Sequence, residues 1–218
     1  MRYFRPALSL VVLMTLTLGI VYPLLVTGIA KLTFPRQAAG SLLHKGTTLI
    51  GSTLIGQHFS DPKYFWGRPS ATTPQPYNGT ASGGSNLGPL NPSLLDQVDA
   101  NIKALRGAQA QDSSGVSANA GVSTNAADAG VSTNAGVSTN AAAVPVDLVT
   151  ASASGLDPHI SVAAAEYQAA RVARARGMTP AAVETIIARL QTAPLFGIIG
   201  ESKVNVLELN MALDGAQE

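Results

Sequence analysis

The chain has 218 residues, of which 12% are charged, with a formal net charge of +1 and no cysteine. That length allows one domain plus accessories. So even a balance leaves no basic stripe for nucleic acid, and zero cysteines exclude a disulfide scaffold, a thiol nucleophile and a cysteine-based metal site.

Pro6 to Ala30 carries no charged residue over 25 positions, with Arg2 and Arg5 before it and Lys31 after. About 20 apolar residues cross the hydrocarbon core of a bilayer. Gly28-Ile29-Ala30 could serve as a signal cleavage site, but the apolar run exceeds the usual length of a signal core. We therefore expect a tail over 1–5, then an uncleaved transmembrane helix over 6–31. No later segment is long and apolar enough for a second crossing. Thr15, Thr17, Gly19, Thr27 and Gly28 are small or hydroxylated, and Pro23 removes one backbone donor. Gly19, Pro23 and Gly28 are the candidates for packing against other membrane helices. Cations at the two ends nearly balance. The short amino-terminal tail and charge-poor remainder favour an amino terminus in the cytoplasm and a soluble domain outside.

Phe34-Pro35 and Gly40 mark a juncture, and Thr47 to Gln57 reads as a bent strand broken at Gly51. From Tyr64 to Pro92 there are five glycines and five prolines in 29 residues, punctuated by Tyr64, Phe65, Trp66 and Tyr77. Glycine and proline impose particular backbone angles and the aromatics can be buried, so 64–92 is an ordered irregular loop. Asn91-Pro92 then opens a helix as cap and first residue, with Leu94, Leu95, Val98, Ile102 and Leu105 at helical spacing and Gly107 as its stop. The first part of the soluble domain is thus 32–107.

Residues 108–143 are an insertion. Gly-Val-Ser-Ala/Thr-Asn-Ala recurs from Gly115, Gly121, Gly130 and Gly136. One valine per hexad is too little apolar surface for a β-helix rung, so a flexible surface segment is expected. The second part, 144–218, resumes with the β-branched run Val146 to Thr150. Ser161 caps an alanine-rich helix that closes at Gly177, with Arg171, Arg174 and Arg176 near its negative end. Thr179-Pro180 opens another, with Val183, Ile186, Ile187 and Leu190 as its stripe. Lys203 to Leu213 reads as a strand turning into a helix. The fold class is α+β: one amino-terminal transmembrane helix followed by a single mixed α+β soluble domain.

The chemistry of an ion pump is missing. There is no Asp-Lys-Thr-Gly phosphorylation motif, no phosphate-binding Gly-x4-Gly-Lys-Ser/Thr loop and no run resembling a potassium filter. Ser60-Asp61-Pro62-Lys63 matches the Ser-x-x-Lys of penicillin-binding proteins, which makes a membrane-anchored periplasmic serine acyl-transferase the alternative; its companion Lys-Thr-Gly is absent, and Pro62 would disrupt the required helix. His44, His58 and His159 show neither a carboxylate partner nor metal spacing, so no metal site is expected. Asp157-Pro158 shapes a turn. Arg68, between glycine and proline, serves either a functional polar contact or the loop's own carbonyls. The string Ser82-Gly83-Gly84-Ser85-Asn86 is either an anion-binding nest of N–H groups or a plain tight turn.

Tyr64 to Ala71, Tyr77-Asn78 and Ser82 to Asn86 resemble the KdpC family, the C subunit of the bacterial Kdp potassium-transporting P-type ATPase. Val144 to Ser161, Gln168 to Ala173 and Val204 to Asn210 extend the resemblance over nearly the whole chain except about 108–143. It implies a non-catalytic accessory subunit in the bacterial inner membrane, partnered by the potassium-translocating A subunit and the ATP-hydrolysing B subunit. The family role is assembly and a chaperone-like rise in the B subunit's ATP affinity. Ser82, Gly83, Gly84, Ser85 and Asn86 would then be the nucleotide-facing residues, with ATP met only through the complex and no cofactor bound tightly. Tyr64, Phe65, Trp66, Arg68 and Tyr77 are the subunit-docking candidates.

Overall fold

The computed structural model describes residues 3–110, 143–194, 196–197 and 199–216, so the hexapeptide insertion lies outside the described residues. They divide into two compact units, Met1–Leu54 and Ile55–Glu218.

The first unit begins with one helical rod, Phe4–Thr33, 30 residues long with a mean hydropathy of 2.3. At 1.5 Å per residue it measures about 45 Å, so length and composition suffice to cross a membrane. The rod consists of α1 (Phe4–Leu16), a π turn (Thr17–Val21) and α2 (Tyr22–Thr33). The π turn has a cause in the sequence. Pro23 offers no N–H to Gly19, and its ring would crowd that carbonyl. The backbone widens, and the Tyr22 N–H reaches back five residues to the Thr17 carbonyl. Pro23 therefore loosens the helix without ending it, and the rod overruns the expected 6–31 by two residues at each end. A Cβ at Gly19 or Gly28 would meet nothing within 4 Å, so both flanks are open.

Phe34 leaves the helical region, and a single turn, α3 (Pro35–Ala38), follows. Gly40 and Ser41, with φ of +85° and +50°, reverse the chain. β1 (Leu42–Lys45) and β2 (Thr48–Ser52) then form an antiparallel hairpin with a bulge between Leu43 and His44. The expected bent strand over 47–57 is thus only the second arm of a hairpin, and it stops at Ser52. The first arm lacks β-branched and aromatic residues, so propensity alone does not reveal it.

In the second unit a helix, α4 (Pro92–Ala110), precedes three more packed on a two-stranded sheet. The Asn91 side-chain oxygen accepts from the Ser93 N–H at 2.9 Å, the cap expected there. Leu105 and Ala108 are buried and Leu95 is exposed, so the apolar stripe omits Leu95. The helix does not stop at Gly107. Burial of Leu105 and Ala108 on either side offsets the roughly 1 kcal/mol that an interior glycine loses.

Val146–Leu148 is a 3-10 turn that buries Leu148. β3 (His159–Ser161) pairs antiparallel with β4 (Lys203–Asn205), Ile160 opposite Val204. α5 (Val162–Arg176) starts where the Ser161 hydroxyl accepts from the Ala164 N–H, and ends at Gly177 with φ +66°. α6 (Pro180–Leu190) is capped by Thr179. α7 (Val206–Gly215) is capped by Asn205, whose side chain accepts from the Leu207 and Glu208 N–H groups. The strand-to-helix switch at 203–213 is as expected. Ala164, Ala165, Ala169 and Ala173 are buried along α5, and the core closes around Phe65, Val172, Val183, Ile187, Leu209 and Leu213.

Candidate functional site

The irregular loop is held by side chains. At Phe65 the backbone N–H donates to Asn210 Oδ1 at 2.8 Å, and Asn210 Nδ2 donates to the Phe65 carbonyl at 3.0 Å. Trp66 repeats this one residue on: its N–H donates to Gln168 Oε1 at 2.8 Å and Gln168 Nε2 to its carbonyl at 3.1 Å. Two side-chain amides thus pair with two consecutive residues of the loop as neighbouring β-strands pair their peptides. Arg171 Nη1 donates to the Pro62 and Tyr64 carbonyls and Nη2 to Gln168 Oε1, while the guanidinium lies 4.7 Å from the Trp66 ring centre. Arg176 donates to the Lys63 carbonyl at 2.7 Å, pairs with Asp214 at 2.8 Å and faces the Tyr64 ring.

Gln168, Arg171 and Asn210 are the residues sequence reasoning misses. All three are almost fully buried. The signal was available: Gln168 and Arg171 fall on the same face of an alanine-rich helix as Ala164, Ala165 and Val172, where a polar residue needs a buried partner. Arg171 and Arg176, read from the sequence as complements to the helix dipole, instead engage the loop.

The five docking candidates separate. Phe65 is wholly buried at the heart of the core and presents nothing to a partner. Tyr64, Trp66, Arg68 and Tyr77 are half-buried. The Tyr77 hydroxyl donates to the Arg68 carbonyl at 2.5 Å, and burial pushes that hydroxyl up to about 12. A Cβ at Gly67 would come 2.7 Å from the same oxygen, and one at Gly56 would run into the ring. Glycine is required at both positions to admit the tyrosine.

Arg68 meets a carboxylate, not loop carbonyls. Its Nη1 lies 3.2 Å from Asp157 Oδ2, and its buried Nε has no hydrogen-bond partner. Asp157 Oδ1 accepts from the His159 N–H at 3.0 Å and faces His159 Nδ1 at 3.4 Å. His159 therefore has the carboxylate partner that the sequence reading denied it, because a turn brings residues two apart together. Asp157 shapes that turn, as expected. The His159 side chain first, then its N–H and Arg68, hold the Asp157 carboxyl down at about 2. Arg68 lines two cavities. One of about 390 Å³ includes Trp66, Tyr77, Asn101 and Leu105. The other, of about 620 Å³, includes Asp157, His159, Glu201 and Lys203.

The glycine string lies along residues 153–155. The Gly83 N–H donates to the Ser154 carbonyl at 2.9 Å, and the Ser82 hydroxyl reaches the same oxygen at 3.0 Å. A Cβ at Gly84 would lie 2.8 Å from the Ala153 carbonyl oxygen, whereas one at Gly83 meets nothing within 4 Å. Asn86 has φ +51° and donates to the Gly84 carbonyl at 3.3 Å. Ser85 is half-buried beside it. One nest donor is therefore spent inside the domain. Opposite, Gly155 has φ +66°, and a Cβ there would fall 2.6 Å from Thr72 and 2.7 Å from the Gly83 carbonyl.

No nucleophile–base pair forms at the Ser-x-x-Lys string. The Lys63 ammonium sits on Asp61 at 3.3 Å, and Ser60 and Lys63 lie in irregular chain instead of on a helix. The acyl-transferase alternative falls with that geometry. Among the described residues, no three His, Asp or Glu side chains gather as metal ligands.

Comparison with known proteins covers the chain from end to end. The family described as K+-transporting ATPase, c chain, matches residues 4–215. A Variovorax paradoxus protein named potassium-transporting ATPase KdpC subunit is 58% identical over 212 residues, 97% of this chain and 95% of that protein. One of the same name from Polaromonas naphthalenivorans is 56% identical over 96% of this chain and 93% of its own length. Another from Sorangium cellulosum is 51% identical across the whole of both chains. With the family pattern spanning the apolar rod, the clamped loop and the terminal helices alike, this chain belongs to the KdpC family, the c chain of K+-transporting ATPases.

Proposed function

We propose that the chain is a non-catalytic accessory subunit of an ATP-driven potassium importer. It joins the potassium-translocating A subunit and the ATP-hydrolysing B subunit, supports their assembly and raises the B subunit's affinity for ATP. The observation that carries this reading is the family match over residues 4–215, with relatives named as subunits of a potassium-transporting ATPase. The span Phe4–Thr33 anchors the chain, with the amino terminus in the cytoplasm and the second unit outside. The short basic tail and the charge-poor remainder favour that orientation.

In that orientation the second unit never meets cytosolic ATP. Coupling then runs through conformation: a subunit that binds the ATP-competent state of the pump more tightly raises apparent affinity without touching nucleotide. A tenfold effect needs only about 1.4 kcal/mol of differential contact. The Gly83 N–H already given to Ser154 supports a shaping role for residues 82–86 over an ATP-holding one.

The experiment is to purify the chain from membranes and identify what accompanies it, then to titrate the complex, with and without the chain, and the chain alone with ATP. Co-purification of the other subunits, tighter ATP binding by the complete complex and none by the chain alone are expected. Micromolar ATP binding by the chain alone, lost in Gly84→Ala, would overturn the conformational reading. For orientation, a carboxy-terminal alkaline phosphatase fusion is expected to be active.

A further inference from the structure

The connection between α6 and β4 is built unlike any other loop of this unit. From Gln191 to Gly200 there is no charged residue, and Leu195, Phe196, Ile198 and Ile199 crowd into five positions. Phe196 is 83% exposed and Ile199 62%. Apolar side chains gathered on one exposed tip mark an interaction site, whereas scattered ones do not.

The tip is displayed on a firm base. Thr192 and Lys203 exchange backbone hydrogen bonds of 2.8 and 3.2 Å, closing a narrow neck that extends the β4 ladder. Below the neck, Ile187 and Val204 are buried in the core. At the tip the Gly197 N–H donates to the Pro194 carbonyl at 3.0 Å. Phe196 and Gly197 both have positive φ, +54° and +73°. A bulky residue rarely adopts that region, and such backbone persists where the surroundings or a function demand it.

We propose that this tip is a docking knob that seats Phe196, flanked by aliphatic side chains, in an apolar, uncharged pocket of another subunit of the transport complex. The inference rests on the reading of this chain as a subunit, under which a partner surface must exist. Two observations favour a protein pocket over a lipid surface. Segments that enter a bilayer interface carry a basic rim, but the nearest charges here are Arg189, Glu201 and Lys203, of mixed sign. A bilayer also has no shape to match, whereas a pocket rewards a side chain held in one direction by its backbone. The aromatic residues of the 61–77 loop are less suited to the task, since Phe65 is wholly buried and Tyr64, Trp66 and Tyr77 are engaged within the domain.

The test uses the full chain expressed with its complex in membranes. A photo-crosslinking residue, Phe196→p-benzoylphenylalanine, is expected to capture a second subunit; capture of lipid alone, or of nothing, overturns the proposal. Phe196→Asp is expected to lower the recovered partner subunits roughly tenfold or more. Leu90→Asp, at a position 94% exposed on a different loop, should leave recovery at the wild-type level. If the wild-type chain recovers its partners and Phe196→Asp recovers them equally well, the knob is wrong and the subunit reading stands. If the wild-type chain recovers no ATPase subunit, the reading itself fails and the knob with it. Should Phe196→Asp not accumulate, the crosslink decides.

Discussion

Two loops of the second unit share glycine, proline and phenylalanine, yet they end in opposite places. In the segment 61–88 the ring of Phe65 is wholly buried, while in 191–200 Phe196 is 83% exposed. The difference lies in what faces each backbone. Asn210, Gln168 and Arg171 reach the peptides of 62–66 from α7 and α5, so the loop enters the core without orphaned donors or acceptors. The 191–200 loop closes only on its own neck and turn, and its apolar side chains stay outside. Loop composition therefore does not decide burial; the polar side chains of the neighbouring helices do.

The sharpest way to break the contrast is Arg171→Ala. It strands the Pro62 and Tyr64 carbonyls and the Gln168 amide oxygen, and we expect a loss of about 3–5 kcal/mol in chemical denaturation, enough to free the 61–68 loop to proteolysis. Arg171→Lys should recover less than half, because one ammonium cannot span three acceptors in a fixed fork.

Gly155→Ala attacks the second seam of the same loop. Positive φ and a Cβ 2.7 Å from the Gly83 carbonyl combine to about 2–3 kcal/mol, read as a lower midpoint in denaturant.

The Arg68–Asp157–His159 link offers a pH signature. The Asp157 carboxyl is held at about 2 against 3.8 for a free one, so its contribution is complete above the unfolded value and is lost as pH falls from about 4 through 2. We expect Asp157→Asn to lose on the order of 1–2 kcal/mol at neutral pH, after allowing for solvent screening, and to flatten the pH dependence in that window. An Asp157→Asn stability curve that still falls steeply from pH 4 to 2 in parallel with wild type would place the titration elsewhere.

Adjacent glycines separate shape from composition. Gly84→Ala meets the Ala153 carbonyl and should lose about 1 kcal/mol; Gly83→Ala meets open space and should change stability by less than about 0.5 kcal/mol. Equal effects would remove the argument that residue 84, and not residue 83, is fitted against 153–155. Phe196→Asp closes the series: with its ring in solvent, thermal unfolding should shift by no more than the equivalent of about 0.5 kcal/mol.

Residue spacing alone determined the apolar rod, the caps at Asn91, Ser161 and Thr179, the stop at Gly177 and the switch at 203–213. Each is a local matter: hydrophobic period, a side-chain oxygen three residues from an orphan N–H, a glycine free to adopt positive φ. Local signals also misled in places, as when Gly107 was read as a helix end and Leu42–Lys45 went unseen as a strand, because packing and pairing override propensity. The sequence likewise marked 64–92 as ordered and flagged Arg68. Only the tertiary structure decided that Arg68 answers Asp157, 89 residues away, that Gly83 spends its N–H on Ser154, and that Gln168, Arg171 and Asn210 carry the loop. Those contacts join residues about 70 to 145 positions apart. No periodicity spans such a distance; a buried polar group finds its partner only when the core has brought the two together.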